Sequence, residues 1–100
     1  MNPKDPIVGW LVAVVVDDGE AGPERRYFAV GRPDQQRAEW AAVDQALAFG
    51  RVATSPVAGM EPVEALGALP NSLARRMGLA DGMVKPLGSR LPRRWLPSNV

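Results

Sequence analysis

Hydrophobic positions enter the chain as a block. Ile7 to Val16, IVGWLVAVVV, carries no polar side chain, is rich in β-branched residues, and stops at the polar run DDGEAGPE, residues 17–24. A block of that length and make-up, closed by turn residues, predicts a strand followed by a turn-rich loop. Polarity then returns to an apolar centre in RRYFAVGR, residues 25–32, where Tyr27 to Val30 lie between Arg25, Arg26 and Arg32. This predicts a second strand, paired with the first as an antiparallel hairpin.

Side chains of a strand alternate between faces, and in the first strand both alternating rows are apolar. Val8, Trp10, Val12, Val14 and Val16 form one row; Ile7, Leu11, Ala13 and Val15 form the other. A sheet with one wet face should alternate apolar with polar, so both faces of this strand need a cover. Residues 34–49 provide one. Pro33 and Asp34 open a helix filled with alanine and glutamine, Gly50 closes it, and Trp40, Val43 and Leu47 recur at i, i+3 and i+7. They predict the buried face, with Ala42, Ala46 and Phe49 widening it. The other side of the sheet is left to the C-terminal segments or to a second copy of the chain. Each large apolar side chain left wet would cost roughly 1.5–3 kcal/mol. Self-association or a protein partner is the expectation that follows.

The remaining pattern is weaker. RVATSPV, residues 51–57, suggests a short third strand that Pro56 restricts to an edge. EPVEALGAL, residues 61–69, suggests a short helix weakened by Gly67, and NSLARRMG, residues 71–78, an amphipathic helix capped by Asn71 and ended by glycine. From Gly82 onward the spacing of proline and glycine predicts no long element. The expected fold is therefore α+β: a small antiparallel sheet packed on one main helix, with short C-terminal helices. A single domain is expected over residues 1–81, followed by a loosely structured basic tail, residues 82–100.

Composition narrows the chemistry. One hundred residues suffice for one domain. With neither cysteine nor histidine, the chain lacks a disulfide framework, a thiolate nucleophile, the usual zinc ligands and every Ser-His or Cys-His arrangement. No enzyme, cofactor or metal site is expected. The acidic loop holding Asp17, Asp18, Glu20 and Glu24 lacks the ligand spacing of a calcium loop, and GLADGMVKPLG lacks the Lys-Ser/Thr ending of a phosphate loop. Ile7–Val16 is too short to span a bilayer and is closed by two aspartates, so neither a membrane span nor a secretory signal is expected, and the cytoplasm is the expected compartment.

Charge is divided unevenly. Residues 1–50 carry five basic and eight acidic side chains, a net of −3, and residues 51–100 carry seven basic and three acidic, a net of +4. Arg90, Arg93 and Arg94 follow the last acidic residue, and Trp95 stands among them in RLPRRWLP. That tail, with Arg93, Arg94 and Trp95, is a candidate partner-binding segment.

Within residues 71–88, Leu73, Ala74, Met77, Gly78, Leu79, Val84 and Leu87 occupy the positions of a bacterial helix-turn-helix, and over that stretch the chain resembles the motif. The resemblance implies nucleic-acid binding through segment 70–88, with Arg75 and Arg76 on phosphates. Pro86 inside the would-be recognition helix speaks against it, as do Asp81 and Gly82 at the base-contacting positions. The leading expectation is a non-enzymatic protein-interaction module, a homodimer or a docking protein joined through the apolar sheet face and the Trp95 segment. A DNA- or RNA-binding regulator that uses Arg75, Arg76 and the basic tail is the alternative, so the candidate partner-binding residues are Trp95, Arg93, Arg94, Arg75 and Arg76.

Overall fold

The computed structural model describes residues 5–20 and 22–96. Among these residues five strands and two α-helices follow one another: β1 (Ile7–Asp17), β2 (Pro23–Val30), α1 (Gln35–Ala46), β3 (Arg51–Val52), β4 (Val63–Pro70), α2 (Asn71–Arg76) and β5 (Val84–Gly88). A 3-10 turn at Arg93–Trp95 ends the series. All pairings are antiparallel. β2 lies along one edge of β1, and β4 and β3 share the other, β4 against Ile7–Val14 and β3 against Val16 and Asp17. β5 extends the sheet beyond β2. The chain is thus α+β, a small antiparallel sheet with one main helix.

From Leu11 to Val16 both rows of β1 are buried, and the chain covers both by itself. Val12, Val14 and Val16 pack with Phe28 and Val30 beneath α1. On the opposite face Leu11 and Ala29 meet Leu69, Ala74, Met77 and Leu79, with Leu73, Leu87, Trp95 and Leu96 around them. Leu11, Ala13 and Val15 are each no more than 1 % exposed. Arg25, opposite Val15, pairs with Glu64, opposite Ala13, so this ion pair crosses β1 on the second face. The greasiness of β1 is therefore satisfied within one chain, the C-terminal segments being one of the two covers expected for the second face.

The orientation of α1 also differs from the pattern expected. Asp34 caps it, its side chain accepting from the Arg37 amide at 2.9 Å, and the Trp10 indole N–H ties the preceding loop to the sheet by donating to the Pro33 carbonyl at 2.9 Å. The buried stripe is Ala38, Ala42 and Ala46, whereas Trp40 is 65 % and Leu47 58 % exposed. Steric space is the physical reason. The sheet presents valines and a phenylalanine to the interlayer, and only methyl side chains let the helix sit close against that surface at native density. At about 100° per residue, Trp40 and Leu47 then point away from the sheet.

Two further segments depart from expectation. Residues 63–70 form β4 rather than a helix. Gly67 pairs with Leu11 and Ala65 with Val12, so Leu66 is the extra residue of a β-bulge. Residues 84–88, inside the segment expected to be loose, form β5. Gly31 holds this turn in place, its N–H donating to the Met83 carbonyl and its carbonyl accepting from the Gly82 N–H, each at 2.7 Å. Pro86 is tolerated because among the described residues β5 pairs only with β2 and lies at the rim of the sheet. The sheet thus runs past residue 81.

Candidate interaction surface

The C-terminal aromatic is used internally. Trp95 is half-buried in the 3-10 turn and packs with Leu96 against the second core, while the Arg94 guanidinium lies 4.8 Å from its ring centroid. Arg93 and Arg94 stay exposed. Arg75 and Arg76 are exposed in the last turn of α2, while Ala74 and Met77 point into the core. α2 and the 3-10 turn both contribute to the cover of the second sheet face, so the fold brings these four arginines to one side of the sheet.

No α-helix follows α2 among the described residues. Gly78 takes a left-handed φ of 74°, which ends α2, and the chain turns into β5. The segment that resembles a helix-turn-helix therefore has no recognition helix: its second half is a strand paired with β2. Lys85, in that strand, donates from Nζ to the Met77 carbonyl at 2.6 Å and so helps close the end of α2. The start of α2 is closed from a distance as well. Its first amide, that of Asn71, donates to the Pro6 carbonyl, and Ser72 gives Asp5 both its amide and its hydroxyl. The Ser72 hydroxyl first, then its amide, hold the Asp5 carboxyl below the usual carboxylate range. Asp5 thus does the capping that the sequence assigned to Asn71.

The acidic loop folds upon itself. Asp17 and Asp18 accept from the amides of Gly19 and Glu20 at 2.8 and 2.9 Å, and Glu24 pairs with Arg26 at 3.0 Å. These carboxylates serve the hairpin turn and its flank.

A surface that sequence reasoning missed lies on the other side. Trp40, Val43 and Leu47 form an apolar stripe along the outside of α1, and Trp40 and Val43 overhang β4. Between helix and strand is a shallow hollow of about 230 Å³ lined by Gln36, Glu39, Trp40, Val43 and Val63. At its rim the Gln35 amide donates to Glu39 at 3.1 Å. The hollow opens beside the outer edge of β4, which among the described residues pairs only with β1. Scattered apolar residues on a surface are ordinary, but an exposed tryptophan and leucine aligned beside an open strand form a contiguous patch of the kind found where proteins meet. The signal was present in the sequence as the i, i+3, i+7 spacing, which marks an apolar stripe without saying which way it faces.

The two rims of the sheet are unlike each other. β5 is five residues long, carries Lys85 and Pro86, and has an irregular register against β2; all three features discourage further pairing. β4 is eight residues long and uncharged from Ala65 to Leu69, but it too carries a charge, Glu64, a proline, Pro70, and two register irregularities against β1.

Among the described residues no helix is long and apolar enough to cross a membrane. Compared with protein-family models, with curated proteins and with solved structures, the chain matches none.

Proposed function

We propose that this chain is a non-enzymatic protein-interaction module that acts in the cytoplasm and self-associates through the outer face of α1. One observation carries the proposal: the largest side chain of the helix, Trp40, faces outward together with Leu47, while three alanines make the contact with the sheet. Because both sheet faces are closed within the chain, association joins folded monomers and does not complete an unfinished core. Aromatic residues on the outside of a rigid element are the usual anchors of such contacts.

Sedimentation velocity over a range of protein concentration tests the proposal. The wild-type chain should shift toward the mass of two chains as concentration rises, and the Trp40→Glu/Leu47→Glu double variant should remain a folded single chain. A dimer that survives both charges would contradict the assignment of the surface.

A second proposal rests on the four exposed arginines at positions 75, 76, 93 and 94, which the fold gathers on the other side of the sheet. They would bind a nucleic-acid backbone through phosphates, without the base contacts that a recognition helix supplies. Retention on duplex DNA or RNA at low salt, falling steeply as salt rises and lost on replacing Arg75 and Arg76, is the expected result. No salt-sensitive binding at low ionic strength would end it.

A further inference from the structure

The charges beside the apolar stripe of α1 select both an occupant and a direction for it. We infer that two copies of this chain join helix on helix through α1, antiparallel about a two-fold axis, with Arg37 of each copy paired to Asp44 of the other. The inference rests on the self-association proposed above and adds its orientation.

The outer stripe has the spacing of a helix-pairing seam. Gln36, Trp40, Val43 and Leu47 follow one another at intervals of four, three and four residues, the rhythm that keeps one side of a helix turned to a neighbouring helix. Ala38, Ala42 and Ala46 occupy the side given to the sheet, and Leu47, just past the end of α1, keeps the helical backbone conformation. On the same rhythm Arg37 and Asp44 border the seam on one flank, and Glu39 and Ala46 border it on the other. Arg37 and Asp44 are both exposed, and among the described residues neither side chain has an ion-pair or hydrogen-bond partner.

In an antiparallel helix pair like flanks face each other. A two-fold axis near residue 41 therefore sets Trp40 against Val43, Gln36 against Leu47 and Arg37 against Asp44, and the symmetry makes each of these contacts twice. The two unpartnered charges of the monomer complement each other when the helix is reversed, which is what a two-fold contact between identical surfaces requires. A parallel pair sets one flank against the other and brings Glu39 of one copy to Asp44 of its neighbour, carboxylate against carboxylate at both places. Since the alanine side holds the sheet, the two sheets lie outside the helix pair. The contact is small: α1 is 12 residues, about 18 Å long. A helix about 10 Å across covers far less than the roughly 1,600 Å² of a standard interface, so the dimer is weak and exchanges readily.

Ready exchange permits a charge-reversal test by sedimentation velocity at low salt. Arg37→Glu places a carboxylate opposite each Asp44, and Asp44→Arg places a guanidinium opposite each Arg37. Either variant alone should associate about tenfold more weakly than the wild type, because two exposed pairs turn from attraction to repulsion. Salt at about 1 M should close most of that gap. An equal mixture of the two variants should regain wild-type association as a mixed dimer, identified by native mass spectrometry with one variant isotopically labelled, and the double variant should regain it alone. Both positions are exposed on a helix, and circular dichroism of each variant checks that it is folded. Association strengthened by Asp44→Arg would overturn the antiparallel pairing in favour of a parallel one, in which Glu39 gains a partner. Single reversals without effect, or a mixture that does not recover, would also overturn it; loss of the dimer in Trp40→Glu/Leu47→Glu would then leave the α1 surface standing. A wild-type protein that stays a single chain at every concentration would overturn the pairing and the proposed self-association together.

Discussion

Replacing Ala42 by leucine places three extra carbon atoms between α1 and the sheet, at a position with no exposed surface, over Val12, Val14 and Phe28. Overpacking of a well-filled interior costs about 1–3 kcal/mol. In a domain of this length that corresponds to a melting point lower by roughly 5–20 °C. The partner substitution, Trp40→Ala, removes a far larger side chain and should do much less. A core tryptophan cut to alanine costs about 3–5 kcal/mol. Trp40 is 65 % exposed, so about a third of that loss applies, ~1–1.5 kcal/mol. The better helix propensity of alanine returns up to ~0.7 kcal/mol. A net cost of about 0.5–1 kcal/mol is expected. Urea unfolding followed by far-ultraviolet circular dichroism, at protein concentrations low enough to keep the chain monomeric, measures both. The inverted order, with Trp40→Ala costing 3 kcal/mol or more and Ala42→Leu tolerated, would refute the orientation of α1 and with it the outward-facing surface.

Other substitutions probe the frame that holds this surface. A Cβ on Gly31 would overlap the Ala80 carbonyl in the turn that leads into β5, so Gly31→Ala should cost about 2 kcal/mol or more in thermal unfolding; a neutral result would place the β5 turn elsewhere. Ala58 occupies the left-handed region at φ 51° in the two-residue turn that Val57 and Met60 close, and Ala58→Asn should raise stability by about 0.5–1 kcal/mol, with a loss contradicting that turn. Asp5 caps α2 as a carboxylate, and its pKa is lowered on folding. Its contribution is therefore full above the unfolded value near 3.8 and fades as pH falls through the lower folded value. Asp5→Asn should be less stable than the wild type at pH 7, with the gap closing below about pH 4; a gap independent of pH would contradict the cap.

The hairpin and the extent of α1 were legible because their signals are local. β1 is long, β-branched and closed by Asp17 and Asp18, and α1 has an Asp34 cap and ends before Gly50. What sequence could not reveal depends on contacts distant in the chain. β4 looked helical because its bulge breaks the period of two: Val63, Leu66 and Leu69 fall three residues apart, as on a helix, although they belong to a strand held by β1. β5 was hidden by Pro86 and by flanking glycines, and it exists because Gly31 and β2 supply its partners. The helix face was misread because hydrophobic size dominates a periodicity argument, while the bulk already present on the sheet decides which side chains fit beneath. Of the candidate site, Arg75, Arg76, Arg93 and Arg94 are at the surface as expected, Trp95 is half-buried against the second core, and the Trp40 stripe was assigned to the interior. Of the two covers expected for the second sheet face, the C-terminal segments are the one observed, with α2 and the 3-10 turn packed on it.

Fluorine nuclear magnetic resonance of the chain labelled with 5-fluorotryptophan bears most directly on the surface of α1. The three tryptophans, Trp10, Trp40 and Trp95, give three signals that single Trp→Phe variants assign. In dilute solution the Trp40 signal should be the most solvent-sensitive of the three, and on raising the concentration it alone should move, as its ring passes from water into the contact between two copies. Movement of the Trp95 signal with that of Trp40 unchanged, or three signals unmoved across the whole range, would contradict the account.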